Sequence, residues 1–381
     1  MSKLVIIGSG FAGCTAVRTL RKQGYRDAIT VVSPHRHLFY YPSLVWVPAG
    51  QRSEADLQVD LTEFFRRHDV VHQSATVTGL DPRARLLRTD QGEVGYDYLV
   101  IASGGRYLQK LPGIEHAHVA CAGWEPTQAF SERLAAMDGG RLAFGFAGNP
   151  KEPAAMRGGP VFEFMFGVDT LLRQQRRRDK FEITFVSPAP RPGARLGERA
   201  VKGLLNEMSR RGIQTHLGNK MKAITPDKVV TEGGEVASDL TLFVPGMTGP
   251  AWAPDSGLPL SEGGFLQADA QCRAAGEDGP VERVYVAGDA GTFPGPDWKP
   301  KQAHMADLQA EAAVKNLLAH AAGRPEVHTF KTELICIVDS LNTGILVYRG
   351  ANRTFQLGGP PFHWAKTLFE WSYLRPYRRA A

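Results

Sequence analysis

The feature that most constrains the fold of this chain is a glycine motif close to its start. The motif consists of Gly8, Ser9, Gly10, Phe11, Ala12 and Gly13. It follows the apolar run 4–7 and precedes the helical pattern 16–20, an order that predicts a strand, a tight turn and a helix. In that context the first glycine makes the turn, the second lets the backbone approach a pyrophosphate, and the third lets the helix pack on the strand. Because the helix N-terminus then faces the phosphates, the motif predicts a unit that binds NAD or FAD.

Two further apolar stretches predict buried strands that end in small residues. The first strand ends in Ala102, Ser103 and Gly104, and the second ends in Gly288 and Asp289. An aspartate after the second strand can hydrogen-bond the ribityl chain of a flavin. Since the glycine motif and both strands follow each other in this order, the sequence predicts FAD as the cofactor.

The order of the predicted elements indicates an α/β fold with two Rossmann-like, doubly wound domains and a C-terminal module. Residues 1–110 and 249–320 are expected to form the FAD-binding domain, residues 111–248 the second Rossmann-like domain, and residues 321–381 the C-terminal module. The first strand of the second domain runs into residues 145–153, which contain two prolines and no Gly-x-Gly-x-x-Gly. This domain is therefore expected to lack a dinucleotide phosphate loop, which argues against NADH or NADPH as the reductant.

The charge and the apolar segments of the chain limit its expected partners and location. With 45 Lys and Arg against 39 Asp and Glu, the net charge of +6 favours anionic ligands or an anionic membrane surface. The basic run 176–178 fits a helix end, so nucleic acid is not expected as a partner. The first strand starts at Lys3, which leaves no room for a secretory signal, and no apolar run is long enough for a transmembrane helix. We expect a protein that is cytoplasmic or peripheral on a membrane.

The chain has four cysteines, which are too scattered for a disulfide scaffold. They are Cys14, Cys121, Cys272 and Cys336. No Cys-x-x-Cys motif is present and the histidines lack metal-binding spacing, so no metal site is predicted. Any redox role must come from cysteines that are distant in sequence.

Several segments, taken in order, resemble the sulfide:quinone oxidoreductases and the flavoprotein subunit of flavocytochrome c sulfide dehydrogenase. They are Ser33 and Pro34 with the aromatic loop 37–46, Gly159 to Glu163, Lys299 to Met305, and Leu334 to Asp339. Ser33 stands where most dinucleotide folds carry an acid that binds the ribose. The resemblance covers nearly the whole chain. It implies the disulfide-oxidoreductase flavoprotein fold and an FAD enzyme that passes two electrons from sulfide to a membrane quinone.

The resemblance also assigns roles to particular residues. It implies that Cys336 is the redox cysteine beside the flavin, although an ordinary packing cysteine is the alternative. A second cysteine of the family, six residues before Glu163, is replaced here by Arg157. Arginine cannot carry sulfur, but it could attract hydrosulfide or pair with a carboxylate. Cys121 matches a further cysteine of many family members, and whether it replaces the missing one is left open.

Lys301 lies in a segment that resembles the Pro-Lys-Thr-Gly segment of the family. A cation near the flavin N1 and C2 oxygen stabilises the anionic reduced ring, and we expect Lys301 to supply it. The alternative is a surface lysine in a proline-rich loop.

The tail carries Trp364, Leu368 and Trp371 at helical spacing, with Arg378 and Arg379 near its end. This pattern predicts an amphipathic helix, which either docks on the protein or lies at a bilayer surface.

Three functions are consistent with these features. The first is an FAD oxidoreductase of the sulfide:quinone oxidoreductase type, with sulfide or a related sulfur species as donor and a quinone as acceptor. The second is an NADH:quinone oxidoreductase on the same fold. The third is a flavoprotein that has lost sulfur turnover and transfers electrons to, or binds, another protein. A homo-oligomer is left open.

Overall fold

The computed structural model describes residues 3–378, so Arg379 of the predicted basic tail lies outside the described residues. The helices are α1 Phe11–Lys22, α2 Glu54–Leu57, α3 Thr62–Arg67, α4 Trp124–Ala136, α5 Gly159–Gln174, α6 Glu198–Arg210, α7 Ala303–Ala321 and α8 Pro361–Arg378. Within residues 3–378, no helix is both long and apolar enough to cross a membrane.

The strands of the first half of the chain are β1 Leu4–Ile7, β2 Ile29–Ser33, β3 His37–Phe39, β4 Gln58–Asp60, β5 Val70–Ser74, β6 Val77–Asp81, β7 Leu86–Thr89, β8 Gly92–Gly95, β9 Tyr98–Ile101, β10 Arg106–Tyr107, β11 Ala117–His118, β12 Gly140–Phe146 and β13 Phe181–Ser187. Those of the second half are β14 Gln214–Leu217, β15 Met221–Thr225, β16 Lys228–Thr231, β17 Gly234–Ala237, β18 Leu240–Val244, β19 Met247–Thr248, β20 Leu266–Gln267, β21 Arg273–Gly276, β22 Gly279–Val286, β23 Gly291–Thr292, β24 Leu334–Asp339, β25 Gly344–Arg349 and β26 Thr354–Gly359.

A six-stranded sheet in the order β21-β22-β9-β1-β2-β5 joins the start of the chain to its later part. All pairs in it are parallel except β21 with β22. Every residue of β1 and β9 is buried, as expected for parallel strands that are covered on both faces. The carboxyl ends of β1, β9 and β22 meet at one edge of the sheet, which brings together the three glycine-containing segments that follow them.

A second sheet is entirely parallel and has the order β11-β18-β12-β13-β14. Its core includes buried aromatic residues of α5 and of the strands. Strand β12 does not lead directly into a helix, because residues 147–158 form a loop and α5 begins only at Gly159. With both sheets flanked by helices, the predicted α/β fold class is confirmed.

The last part of the chain forms the antiparallel sheet β24-β25-β26 and helix α8. Strand β24 lies between α5 and α8 and contacts both helices. Helix α8 docks on the protein, but not through the apolar residues that suggested an amphipathic helix. Trp364, Leu368 and Trp371 are 69%, 63% and 55% exposed, whereas Leu374 and Tyr377 are buried. The buried face also holds two charged side chains, described below, because ion-pair partners for them exist in the body of the protein.

Candidate active site

A single cavity of about 1660 Å³ begins at the edge where β1, β9 and β22 end and continues between α5 and α8. Nearly all of the predicted site residues line it. They are Gly8, Gly10, Phe11, Ala12, Ser33, Pro34, Ala102, Ser103, Gly104, Cys121, Arg157, Gly288, Asp289, Lys301 and Cys336. The exception is Gly13, which lies beneath the turn and not on the cavity wall.

The glycine motif has the geometry that a dinucleotide fingerprint requires. Gly8 has a φ of +100°, and a Cβ on it would lie 2.4 Å from the carbonyl oxygen of Ala102. A Cβ on Gly13 would lie 2.0 Å from the carbonyl oxygen of Gly8, so only glycine allows α1 to pack this closely on the turn. A Cβ on Gly10 would meet nothing within 4 Å, because it would point into the space at the N-terminus of α1. That space fits a pyrophosphate.

Two buried polar atoms on the cavity wall have no hydrogen-bond partner among the described residues. They are Ser103 Oγ and Gln302 Oε1. Buried polar atoms normally have a partner, so these two are free to bind a polar ligand inside the cavity. By contrast, Ser33 Oγ already donates to the carbonyl of His35 at 2.7 Å. The open atoms and the glycine cradle together fit FAD.

Arg157 forms an ion pair with Asp289 across the cavity. Burial by itself lowers the pKa of the guanidinium, but Tyr107 and Asp289 outweigh burial and raise the pKa above its ordinary value. Arg157, which the resemblance aligns with a cysteine of the family, therefore pairs with a carboxylate, one of the two roles predicted for it. It also engages the aspartate that the sequence associates with the ribityl chain.

The two predicted redox cysteines are free thiols on the cavity wall. A Cβ on Gly159, the first residue of α5, would lie 3.5 Å from Cys336 Sγ. Burial raises the pKa of Cys336 to about 12, and the Glu163 carboxylate acts in the same direction. The positive end of the α5 dipole opposes this effect and favours a thiolate. Burial also raises the pKa of Cys121 to about 12, while Arg157 lowers it.

Lys301 is not a surface lysine. Its Nζ donates to the carbonyl of Gly291 at 2.8 Å and lies 3.8 Å from the ring centroid of Phe265. Burial lowers the pKa of Lys301 to about 8, and Asp289 and Glu152 act in the opposite direction. The side chain is therefore a desolvated cation on the cavity wall.

A buried ion pair between Glu163 and Lys366 joins α5 to α8 at the cavity, and the sequence did not predict it. The backbone N–H of Asp339 donates to Glu163 Oε2 at 3.1 Å. Burial raises the pKa of Glu163 to about 7, although Lys366 lowers it. Glu163 lies in one of the segments that resemble the family, and this resemblance was a reason to expect a functional role for it. Lys366 carried no comparable signal, because a lone lysine in a predicted amphipathic helix is usually solvated.

Strand β24 divides the two sides of the cavity by the alternation of its side chains. Cys336 faces α5, in the same direction as the buried Leu334 and Val338. Ile335 and Ile337 face the other way, and a Cβ on Gly344 would contact both Ile337 Cγ2 and Cβ of Phe362 in α8. We call the part of the cavity that Cys336 faces the α5 side, and the part that Ile335 and Ile337 face the α8 side.

The α8 side is apolar with polar groups at its edge. Ile335, Phe369 and Tyr373 line it. Asp307 accepts hydrogen bonds from Thr15 Oγ1 at 2.6 Å and from Tyr373 Oη at 3.1 Å. Burial raises the pKa of Asp307 to about 6, although both hydrogen bonds lower it. This side can therefore hold a flat apolar ligand next to groups that exchange protons.

Among residues 3–378, no group of three or more His, Cys, Asp or Glu side chains is placed to hold a metal ion.

Comparisons with known proteins identify the family of this chain. The family model described as pyridine nucleotide-disulphide oxidoreductase matches residues 2–310. The sulfide-quinone reductase of Aquifex aeolicus is 24% identical over 394 residues, which cover 97% of this chain and 90% of that protein. A type II NADH:quinone oxidoreductase of Staphylococcus saprophyticus is 22% identical, with 85% of this chain and 83% of that protein covered.

The fold is also that of a solved relative. The X-ray structure of the sulfide:quinone oxidoreductase from Aquifex aeolicus matches with a TM-score of 0.87 at 23% identity, covering 99% of this chain and 92% of that one. The predicted resemblance, the fold and FAD as cofactor are thereby confirmed. The chain belongs to the pyridine nucleotide-disulphide oxidoreductase family and is an FAD-dependent oxidoreductase.

Proposed function

We propose that this enzyme takes two electrons from sulfide or a related sulfur species on the α5 side and delivers them to a quinone on the α8 side. The observation that carries this proposal is the alternation along β24, which places the Cys336 thiol and the apolar Ile335 on opposite faces of one strand. FAD, when bound, supplies the two-electron store between a donor and an acceptor that never meet. The name of the Aquifex aeolicus relative supports this donor and acceptor, and the name of the Staphylococcus saprophyticus relative supports the quinone only.

On the α5 side, we assign Cys336 as the nucleophile. The N-terminus of α5 next to its Sγ favours the thiolate, which would bond to the donor sulfur while FAD, when bound, takes up the two electrons that this oxidation releases. Arg157 lies in the same cavity with its charge balanced by Asp289, and its remaining N–H groups can donate to an anionic donor. Cys121 is the candidate for a second sulfur-handling thiol, since it lines the same cavity.

On the α8 side, we assign Phe369 and Tyr373 as the walls of the quinone site. Quinone reduction consumes protons, and the buried groups at the edge of this side can supply them. Asp307 has its pKa raised to about 6, and Glu163, at the α5–α8 junction, to about 7. Lys301 is assigned to the cofactor, whose reduced ring its positive charge would stabilise.

We also assign the residues that would contact FAD. Gly10, Phe11 and Ala12 would hold the pyrophosphate at the N-terminus of α1. Ser33 and Pro34 would contact the adenosine end, while Ser103 offers an unsatisfied hydroxyl inside the cavity.

We also propose that the exposed face of α8 contacts a membrane. Trp364, Leu368 and Trp371 together form an apolar strip on a helix whose other face is docked, and aromatic side chains of this kind favour the headgroup region. Sedimentation with anionic vesicles tests this proposal, with Leu368→Asp as the variant that should stay in the supernatant. Equal sedimentation of both proteins would reject it.

An anaerobic titration of the FAD-loaded protein tests the electron pathway. We expect sulfide to bleach the visible flavin band rapidly and a soluble quinone analogue to restore it. NADH in a parallel cuvette should not bleach it, because the loop 147–158 separates β12 from α5 and leaves no phosphate loop. Bleaching by NADH alone would instead identify an NADH:quinone oxidoreductase. No response to either donor, with a stoichiometric protein partner recovered in a pull-down, would indicate an electron-transfer protein without sulfur turnover.

A further inference from the structure

The α5 side of the cavity contains a cation that the proposed function does not use. Arg195 lies between β13 and α6 and lines the cavity together with Cys336. Its Nη2 donates to the carbonyl of Pro153 at 2.6 Å, which ties it to the loop 147–158. Burial lowers the pKa of Arg195 to about 10, so the guanidinium remains charged at neutral pH.

Two other arginines that line the cavity have carboxylate partners, and Arg195 has none among the described residues. Arg191 pairs with Glu198, and Arg157 pairs with Asp289. In the part of the chain that the structure describes, no carboxylate forms an ion pair with Arg195, whose guanidinium donates to a single protein acceptor. A guanidinium has five N–H donors, so most of its hydrogen-bonding capacity faces the cavity or solvent. A partly buried cation of this kind is stabilised by an anion.

The turn that carries Arg195 packs against the elements that hold Cys336. A Cβ on Gly193 would lie 3.4 Å from Phe162 in the first turn of α5, and a Cβ on Gly159 in that turn would lie 3.5 Å from Cys336 Sγ. The backbone carbonyl of Arg195 also accepts a hydrogen bond from Arg349 Nη1 at 2.7 Å. Arg349 pairs in the sheet with Leu334, two residues before Cys336. The turn that carries Arg195 is thus fixed to both elements that position the thiol.

We propose that Arg195 binds the charged end of a small anionic sulfur compound whose other end is a sulfur atom at Cys336. The inference rests on the proposed function and names its donor class: a compound with a negative group separate from the reacting sulfur, of which thiosulfate is a simple example. A guanidinium binds such a group through strong, directional hydrogen bonds. Hydrosulfide has no second group, so Arg195 can only attract it by charge.

Two alkylating reagents test this inference without electron transfer. Iodoacetate and iodoacetamide modify the same thiol and differ in the charge of the group beside the reactive carbon. The FAD-loaded protein is treated with each reagent at the same pH, and mass spectrometry follows the modification of the peptide that contains Cys336. We expect Arg195→Gln to lower the ratio of the iodoacetate rate to the iodoacetamide rate about tenfold. Arg195→Lys should keep most of the ratio.

Arg199→Gln is the matched control. Arg199 is exposed in the first turn of α6 and does not line the cavity, so this variant loses one positive charge from the same region without touching the site. The rate with the neutral iodoacetamide serves as the folding control, because it changes if a variant alters the structure around the Cys336 thiol. As a second measurement, thiosulfate should slow the alkylation of Cys336 in the parent protein and not in Arg195→Gln.

The inference is overturned if the ratio is unchanged in Arg195→Gln, if it falls equally in Arg199→Gln, if thiosulfate gives no protection, or if neither reagent reaches Cys336. Its failure is distinguishable from failure of the proposed function. Arginine-dependent alkylation and protection in a protein that no sulfur compound reduces would support the anion site and reject the proposed sulfur oxidation. Rapid reduction by hydrosulfide, together with an unchanged ratio of alkylation rates in Arg195→Gln, would support the proposed sulfur oxidation and reject the anion site.

Discussion

Cys336 is the residue on which the proposed sulfur chemistry depends most directly. Replacement of its thiol by a hydroxyl changes the size of the side chain little but removes the nucleophile. We expect Cys336→Ser to abolish reduction of the flavin by sulfide while FAD remains bound, because the residue belongs to β24 and not to the glycine cradle. Stopped-flow absorbance of the flavin band measures the first effect, and the ratio of flavin to protein absorbance measures the second.

Cys272→Ala serves as the control for this experiment, since Cys272 is a buried thiol that does not line the cavity. It should reduce its flavin at the parent rate. If Cys336→Ser also does so, the thiolate mechanism is wrong.

Glu163 gives the folded protein a pH dependence of its own. Burial raises the pKa of Glu163 to about 7 from an ordinary value of 4.5, so the folded protein keeps a proton that the unfolded chain releases at lower pH. The resulting stabilisation is fully present below pH 4.5 and is lost as the pH rises through 7. We expect it to amount to at most about 3 kcal/mol of the free energy of unfolding.

Denaturant unfolding at about pH 5 and about pH 8 measures this effect. Glu163→Gln should lose less stability over that interval than the parent protein. Glu262→Gln, at an exposed glutamate, should follow the parent. Equal pH dependence in all three proteins would show that Glu163 titrates normally.

At the scale of elements, α8 docks through a face that includes two charged residues, which its sequence would assign to solvent. Lys366 pairs with Glu163, and Glu370 accepts hydrogen bonds from Arg52 and Ser43. These partners lie about two to three hundred residues away in sequence. A helical pattern predicts that charged residues face water, because partners so distant in sequence cannot be read from the pattern. The existence of the helix was therefore predictable, but the face that docks was not.

Two leucines of α8 provide a matched test of this docking. Leu374 is fully buried and Leu368 is 63% exposed. We expect Leu374→Ala to lower the free energy of unfolding by about 2–5 kcal/mol, since it removes buried methyl groups and leaves a cavity. Leu368→Ala should change it by no more than about 0.5 kcal/mol. Similar losses for the two variants in denaturant unfolding would contradict the orientation of α8.

At the scale of the whole molecule, the cofactor end of the cavity was the most predictable part. Parallel strands end at one edge of a sheet, so Gly8, Ala102 and Gly288 had to meet once their strands were recognised. The other walls were less predictable because they combine segments that no local pattern links. Lys366 from α8 and Arg195 from the turn before α6 reach the cavity only through the packing of separate sheets.

The glycine cradle predicts how the whole molecule responds to its cofactor. Gly10 has a φ of −78°, which valine can adopt, and a Cβ there meets nothing within 4 Å. We expect Gly10→Val to fold without FAD but to lose FAD binding, because its side chain would occupy the pyrophosphate space. Excess FAD should therefore stabilise the parent protein, by about 2.7 kcal/mol at a hundredfold excess over Kd, and leave this variant unchanged in a thermal melt.

Gly13→Val provides the contrast, since a Cβ on Gly13 would lie 2.0 Å from the carbonyl oxygen of Gly8. This variant should be destabilised with or without FAD. If both variants retain the stabilisation by FAD, the glycine motif is not the phosphate site.

Because side chains alternate along β24, the proposed chemistry depends on how many residues this strand contains ahead of Cys336. One residue inserted into the strand ahead of Cys336 would turn the thiol toward α8 and an isoleucine toward α5, because adjacent side chains point to opposite faces. Homologues that vary in length within this strand should therefore differ by two residues and not by one. In the proposed function the same strand would keep the donor sulfur apart from the quinone, and only the flavin would connect the two sites.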